Sequence, residues 1–143
     1  MNMLVCLEVM QVLSREQLQG ILLASARPEL TIYRNEKKNL GYEVRARVFF
    51  RADSAEFLRY IETALMDADI PSKFRPSESK VRPKPVLWVS GITNLNSLAR
   101  LVPNYPDAKY QWDYFKLALD VIYEGEHNTQ VGLDKLLKLK GLL

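Results

Sequence analysis

The segment from Ser14 to Ala26 constrains the fold of this chain more than any other. Ser14 and Gln17 form a capping-box pattern, in which each side chain accepts a backbone amide proton that the first helical turn leaves unpaired, so a helix begins here. Gly20 and Ala24 stand four residues apart on this helix, a spacing that lets a second helix approach closely. The predicted interface strip consists of Leu18, Gly20, Ile21 and Ala24. A helix buried in its own domain, with incidental Gly and Ala, is the alternative.

Length and composition predict one domain with its own hydrophobic core, because 48% of the 143 residues are hydrophobic. We assign residues 1–13 to an N-terminal extension and residues 14–143 to the domain. The extension is apolar, too short for a membrane span and without the basic start of a signal peptide. Its mixed pattern fits either an extra strand or a helix that packs on the core. The single cysteine, Cys6, and the absence of zinc-type spacing predict an intracellular protein without a disulfide or a structural metal. Since the apolar extension is too short to span a bilayer, no membrane partner is expected.

Two stretches of alternating residues predict β-hairpins. Residues 29–35 and 41–50 alternate in polarity around the loop NEKKNLG, and residues 70–91 contain four prolines and end in the strand-like sequence VLWVSG. A net charge of +3 supports a nucleic-acid partner only weakly, but the hairpins concentrate cations. A solvated sheet face and a flexible loop are the alternatives to a phosphate-binding surface. The predicted nucleic-acid-binding residues are Tyr33, Lys37, Lys38, Arg45, Arg47, Lys73, Arg75, Lys80, Arg82 and Lys84.

The other segments are predicted to be helical. Asp53 and Glu56 form a second capping box, and a helix follows to about Asp67 with an apolar stripe of Phe57, Leu58, Ile61 and Leu65. In the C-terminal third, helices are predicted for residues 93–101, 107–123 and 129–139, the last capped by Thr129. We expect the aromatic residues of the middle helix to form core rather than a base-stacking surface.

The C-terminal segment resembles one known family. Here the sequence has the pattern His-x-Thr-x-x-Gly-Leu-x-Lys, which is similar to the end of the LAGLIDADG homing endonucleases and is formed by His127, Thr129, Gly132, Leu133 and Lys135. The pair Asp113-Tyr114, and Gly91 with Asn94, also resemble family positions, and residues 18–26 occupy the place of the name-giving motif. The resemblance covers roughly residues 14–140. It implies an α+β fold of order α-β-β-α-β-β-α-α with an antiparallel four-stranded sheet.

The positions that this family uses for catalysis differ here. Active members carry an acid near the end of the motif, where two copies hold divalent cations, whereas this chain has Ser25 there and Leu23 at the preceding acidic position. A family lysine falls on Tyr110, with Lys109 one position away, and Glu29 is the only nearby acid. The resemblance therefore implies degenerate catalytic positions, no metal site and no cofactor. Mg²⁺ is expected only if the protein is an active nuclease.

The resemblance implies a nucleic-acid-binding protein that has lost its nuclease chemistry and binds DNA or RNA through the basic sheet face. Two alternatives stay open: a structural subunit of a ribonucleoprotein or other large assembly, and an active homodimeric homing endonuclease with an atypical metal site. One motif copy forms half of a two-helix interface, so a homodimer or a larger assembly is expected. The family's frequent organellar origin implies a mitochondrion or a chloroplast as the expected compartment.

Overall fold

A computed structural model describes residues 13–103 and 111–143, which form a four-stranded antiparallel sheet with helices packed on one of its faces. The spatial order of the strands is β1-β2-β4-β3. The strands are β1 (Arg27–Arg34), β2 (Tyr42–Arg51), β3 (Lys73–Arg75) and β4 (Val86–Ser90). The helices are α1 (Arg15–Ala24), α2 (Ala55–Asp67), α3 (Ile92–Leu101), α4 (Gln111–Tyr123) and α5 (Gln130–Lys140), with a 3₁₀ helix at Glu126–Asn128.

The predicted α+β class and antiparallel four-stranded sheet are confirmed. All three C-terminal helical segments are present, one helix more than the order α-β-β-α-β-β-α-α contains. Residues 1–12 of the predicted extension, and the predicted start of the middle helix at residues 107–110, lie outside the described residues. Within the described part of the chain, every helix is too short or too polar to cross a bilayer.

Helix α1 begins as the capping box predicts. The backbone N of Ser14 donates to Oε1 of Gln17 at 2.8 Å, and the N of Gln17 donates to Oγ of Ser14 at 3.1 Å. The helix ends at Ala24, and the chain enters β1 at Arg27. Pro28 fits in this strand because β1 forms an edge of the sheet, where a missing amide proton costs little.

The cap of α2 differs from the prediction. Ser54 is the N-cap, and its Oγ accepts a hydrogen bond from the N of Phe57 at 3.3 Å. The carboxylate of Asp53 instead accepts a hydrogen bond from Nζ of Lys84 at 2.8 Å, so the predicted Asp53 capping box is wrong. The predicted stripe is wrong at Phe57, which is 39% exposed because it lies beside the buried row of α2 rather than in it. That row consists of Leu58, Ile61, Ala64 and Leu65.

The two faces of the sheet have opposite environments. In the β1–β2 register, Leu30 lies opposite Ala46 and Ile32 opposite Val44, on the side that packs against α4 and α5. The central strands add fully buried side chains to the same side, namely Val48, Phe50, Leu87 and Val89. Because side chains alternate along a strand, the odd-numbered residues of β1, β2 and β3 and the even-numbered residues of β4 lie on the other face.

Trp112 and Phe115 of α4 belong to the core, as predicted, whereas Tyr110 lies outside the described residues. Nε1 of Trp112 donates to the backbone carbonyl of Leu22 at 2.7 Å, which ties α4 to α1. The ring of Phe115 is fully buried and meets Trp112 edge to face, with 5.8 Å between the ring centroids. These side chains are therefore not available to stack on bases.

The C-terminal pattern has a local structural reason. Thr129 caps α5: its Oγ1 accepts from the N of Gly132 at 3.1 Å and donates to the carbonyl of Glu126 at 2.7 Å. A Cβ added at Gly132 would collide with the backbone carbonyl of Glu126. The spacing of threonine and glycine thus holds α5 tightly against the preceding 3₁₀ turn.

Candidate nucleic-acid interface

The predicted strand cations lie on the sheet face opposite the described helices. Register places Thr31 opposite Arg45 and Glu29 opposite Arg47, while Lys73 lies opposite Trp88. Tyr33 and Arg75 are on the same face, and Nη2 of Arg45 donates to the hydroxyl of Tyr33 at 3.0 Å. Among the described residues, Arg47, Lys73 and Arg75 form no ion pair. Nη2 of Arg45 lies 3.8 Å from Oε2 of Glu43, a long surface contact that contributes little. We refer to Arg45, Arg47, Lys73 and Arg75 as the open cations, because none of them donates a hydrogen bond to a carboxylate of the described residues.

Aromatic rings lie between these cations. The Phe49 ring lies beneath the guanidinium groups of Arg47 and Arg51, at 4.9 and 4.5 Å from the ring centroid, and it stacks against Trp88 across β2 and β4. Arg75 lies over the Trp88 ring at 5.5 Å. Rings that support the cations restrict their side-chain freedom, so less conformational entropy is lost when a ligand binds them.

The positive charges of this face repel one another. Burial lowers the pKa of Arg47, and the positive charge of Arg45 lowers this pKa further, whereas Glu29 acts in the opposite direction. Like charges held this close favour an incoming anion, because a phosphate relieves their repulsion. The predicted turn residues Lys37 and Lys38 are exposed at one end of the same hairpin, where Lys38 lies 3.9 Å from the carboxylate of Glu43.

The loop of the second hairpin contrasts with its strand. Arg82, one of the predicted phosphate contacts, donates to Glu78 at 3.2 Å and to the carbonyls of Pro85 and Ala52 at 3.0 and 3.3 Å. Lys84 pairs with Asp53, as described above. Both cations therefore hold the loop against the domain. Lys80 is exposed.

Arg51, which sequence analysis missed, connects this loop to the sheet. Its Nε and Nη2 donate to the two carboxylate oxygens of Glu78, both at 2.9 Å, and its Nη1 donates to Glu29 at 3.0 Å. These contacts raise the pKa of Arg51, chiefly through the Glu78 hydrogen bonds, and they lower the pKa of Glu78. The alternation that identified Arg45 and Arg47 continues to Phe49 and Arg51 and could have found it. We refer to Arg51, Arg82 and Lys84 as the paired cations.

The predicted interface helix presents only part of its strip to the surface. Gly20 and Ala24 are exposed, and a Cβ added at Gly20 meets no atom within 4 Å. Leu18 is 4% exposed and belongs to the core of this domain, since it shares a buried face with Leu22. Ile21 is half-buried against that core. The surface strip therefore centres on Gly20 and Ala24.

The end of α1 does not fit a divalent cation. Ser25 supplies a neutral hydroxyl, Leu23 packs against the core, and the carboxylate of Glu29 is bound to Arg51. Hard cations such as Mg²⁺ need several oxygen ligands, including carboxylates. Within residues 13–103 and 111–143, no group of three or more His, Cys, Asp or Glu side chains could hold a metal ion. Lys109 and Tyr110 lie outside the described residues.

Comparison with solved structures identifies the architecture. The LAGLIDADG meganuclease I-CpaMI, bound to uncleaved DNA, matches 90% of this chain with a TM-score of 0.75 at 23% identity. The homing endonuclease I-LtrWI, bound to its target DNA, matches 92% with a TM-score of 0.77 at 20% identity. The chain has the LAGLIDADG homing-endonuclease fold. The match extends over only 44% of each of those two proteins, so this chain spans less than half of their length.

A third LAGLIDADG-fold neighbour is closer in size. The homing endonuclease I-TnaI matches 90% of this chain and 86% of its own length, with a TM-score of 0.73 at 16% identity. No protein-family model and no curated protein sequence matches the chain. The resemblance seen in the C-terminal pattern is thus confirmed at the level of the fold.

Proposed function

We propose that this chain is a non-catalytic nucleic-acid-binding protein derived from a LAGLIDADG homing endonuclease. The observation that carries the proposal is the grouping of the open cations on the sheet face opposite the described helices. Phosphate contacts of this kind supply most of the sequence-independent affinity for DNA or RNA. The structural neighbours I-CpaMI and I-LtrWI are bound to DNA, which supports nucleic-acid binding as the function of this fold.

The non-catalytic part of the proposal rests on the end of α1. A nuclease of this type needs carboxylates that hold cations beside the scissile phosphate. Ser25 cannot provide that charge, and the one nearby carboxylate, Glu29, holds Arg51 at 3.0 Å. Recruiting Glu29 to a metal would break this ion pair. We therefore assign α1 a role in assembly and not in cleavage.

Binding is tested by titrating labelled duplex DNA and RNA with the wild type and with the double variant Arg45→Glu/Arg47→Glu. Reversing both charges places repulsion where we propose phosphate contacts, so the affinity should fall strongly for both nucleic acids. The matched control, Arg100→Glu/Lys138→Glu, reverses two exposed cations of the helical layer and should bind like the wild type. Equal losses in the two variants would argue against the sheet face.

Cleavage is tested by incubating the wild type with supercoiled and linear duplexes in Mg²⁺ or Mn²⁺. We expect intact substrate, because the residues at the end of α1 do not fit a cation site. Divalent-dependent cleavage by the wild type that is lost in a Ser25→Ala variant would show an active nuclease with an atypical site, and the non-catalytic assignment would then be wrong.

We also propose that α1 pairs with a second copy of the chain through the exposed strip of Gly20 and Ala24. Gly20→Leu has room within its own domain and should fold, but overpacking between two closely packed helices costs roughly 1–3 kcal/mol. Sedimentation should show a wild-type dimer and a folded monomeric variant. Thr63→Leu, at an exposed position of α2, serves as the control and should stay dimeric. A monomeric wild type would rule out self-pairing at this helix.

A structural subunit of a ribonucleoprotein is the second candidate, and an apolar groove favours it. A cavity of about 490 Å³ lies between α4 and α5, and its walls include Leu117 and Leu142, which are 52% and 56% exposed. Exposed apolar surface of this kind suits a protein neighbour. Purification from the native source tests this function: association with a large RNA-containing particle supports it, and recovery as a free dimer contradicts it.

A further inference from the structure

A cavity opens in the basic face where β4 ends. β4 pairs with β2 only from Arg47 to Arg51, whereas the preceding residues of β2 pair with β1 alone. At this step in the sheet the chain turns into α3 through Gly91, whose φ is 90°. The step leaves a cavity of about 580 Å³, within the range of small-molecule sites, between β2, β4 and the start of α3.

The lining of this cavity combines three chemistries. Arg45, Arg47 and Lys73 supply positive charge, and the described lining contains no carboxylate. Trp88 supplies an aromatic wall. The remaining wall is mostly apolar and includes Ala46, Ile92 and Leu95. A planar group with an attached anion suits such a cavity, because its ring can contact the indole and the apolar wall while the anion meets the cations.

We propose that this cavity receives one unpaired base of a bound nucleic acid, which stacks on Trp88 while its phosphate contacts Arg45, Arg47 or Lys73. The inference rests on the proposed function and adds a ligand class to it. Base pairs in a duplex hide the faces of their bases, so only a bulged, flipped or single-stranded nucleotide can enter. The incoming base displaces the exposed Arg75 guanidinium from the Trp88 ring, since exposed cation–π contacts are weak.

Three labelled probes of related sequence test this site: a fully paired duplex, the same duplex with a one-nucleotide bulge, and one isolated strand. The wild type should bind the bulged and single-stranded probes more tightly than the paired duplex. Trp88→Leu should weaken binding of those two probes by about 5- to 150-fold, the effect of losing one stacked base. Its affinity for the paired duplex should not change.

Two further variants separate stacking from structure. Trp88→Phe keeps a ring at the site and should recover most of the preference for unpaired bases. Tyr123→Leu removes a 65% exposed aromatic ring from the helical layer and should behave like the wild type. An equal loss on all three probes in Trp88→Leu would show a merely structural role and would overturn the inference. If the wild type binds no probe, the proposed function itself is wrong.

Fluorescence gives a second measurement that needs no variant. The chain has two tryptophans, and Trp112 is only 3% exposed, so a ligand on the sheet face reports mainly through Trp88. Addition of the bulged probe should quench the emission more than addition of the paired duplex at equal saturation. Equal quenching by both probes would contradict base entry into the cavity.

Discussion

The two hairpins are both rich in basic residues but use their cations differently. In the first hairpin, Arg45 and Arg47 lie on β2, where Arg45 is exposed and Arg47 is half-buried. In the loop of the second, Arg82 and Lys84 fold back onto Glu78, Asp53 and backbone carbonyls. The distance to a carboxylate makes the difference: Arg82 and Lys84 donate to Glu78 and Asp53 at 3.2 and 2.8 Å, whereas Arg45 lies 3.8 Å from Glu43, beyond hydrogen-bonding distance. We therefore expect fewer cations to contact phosphates than the number of basic residues suggests.

The largest expected effect compares two arginines of β2. Arg51→Met removes three charge-assisted hydrogen bonds and leaves Glu78 without its main partner, so the free energy of unfolding should fall by about 2 kcal/mol, a figure already reduced for partial solvent exposure. Arg47→Met removes an open cation and should change the free energy of unfolding by less than about 0.5 kcal/mol. Urea denaturation of both variants measures the difference. Equal losses would remove the distinction between open and paired cations.

A smaller effect concerns acid stability. The Arg51 hydrogen bonds, followed by the charges of Arg51 and Arg82, hold the pKa of Glu78 below its ordinary value of 4.5. The unfolded state therefore binds more protons below that pH, and the stability that Glu78 contributes is present above pH 4.5 and lost as the pH falls through the lowered pKa. Glu78→Gln should flatten the stability curve in this window. If the variant keeps the wild-type slope of stability against pH, the acid dependence arises from groups other than Glu78.

The smallest expected effect is the pH dependence of stability that arises from His127, near the turn of the first hairpin. Burial, followed by the charge of Lys38, lowers the pKa of His127 below 6.5. The folded state therefore resists protonation, and stability should decline slightly as the pH falls below 6.5. Lys38→Met removes the weaker cause and should reduce the decline, whereas His127→Gln should abolish it. Thermal unfolding across this pH range provides the measurement, and an unchanged slope in His127→Gln would contradict this assignment.

Local patterns were sufficient to predict most of the fold. Several correct predictions depend on neighbours within four residues, so the sequence displays them directly: the capping residues Ser14 and Thr129, the alternation in β1 and β2, and the buried positions Leu58, Ile61 and Leu65 of α2. Where a distant partner competes, local patterns failed. Asp53 does not cap α2 because Lys84, 31 residues away, binds its carboxylate.

The candidate interface was predictable only in part for the same reason. Period-two alternation places Arg45 and Arg47 on one face, but the state of Arg51 and Arg82 depends on contacts 27 and 30 residues away, with Glu78 and the carbonyl of Ala52. The sequence predicted Trp88 only as a strand residue, since its position beside the cavity depends on the register of β2 and β4. Burial of Leu18 likewise follows from tertiary packing and not from the helical pattern.

The salt dependence of nucleic-acid binding tests the central claim most directly. Wild type, Arg45→Gln/Arg47→Gln and Arg82→Gln/Lys84→Gln are titrated with one duplex DNA over a range of salt, after circular dichroism has confirmed folding. Each lost phosphate contact flattens the slope of log K against log salt by about 0.9 for duplex DNA. The first variant should therefore lose about 1.8 from the slope, and the second should keep the slope of the wild type. A slope unchanged in the first variant, or flattened equally in both, would contradict binding through the open cations of the sheet.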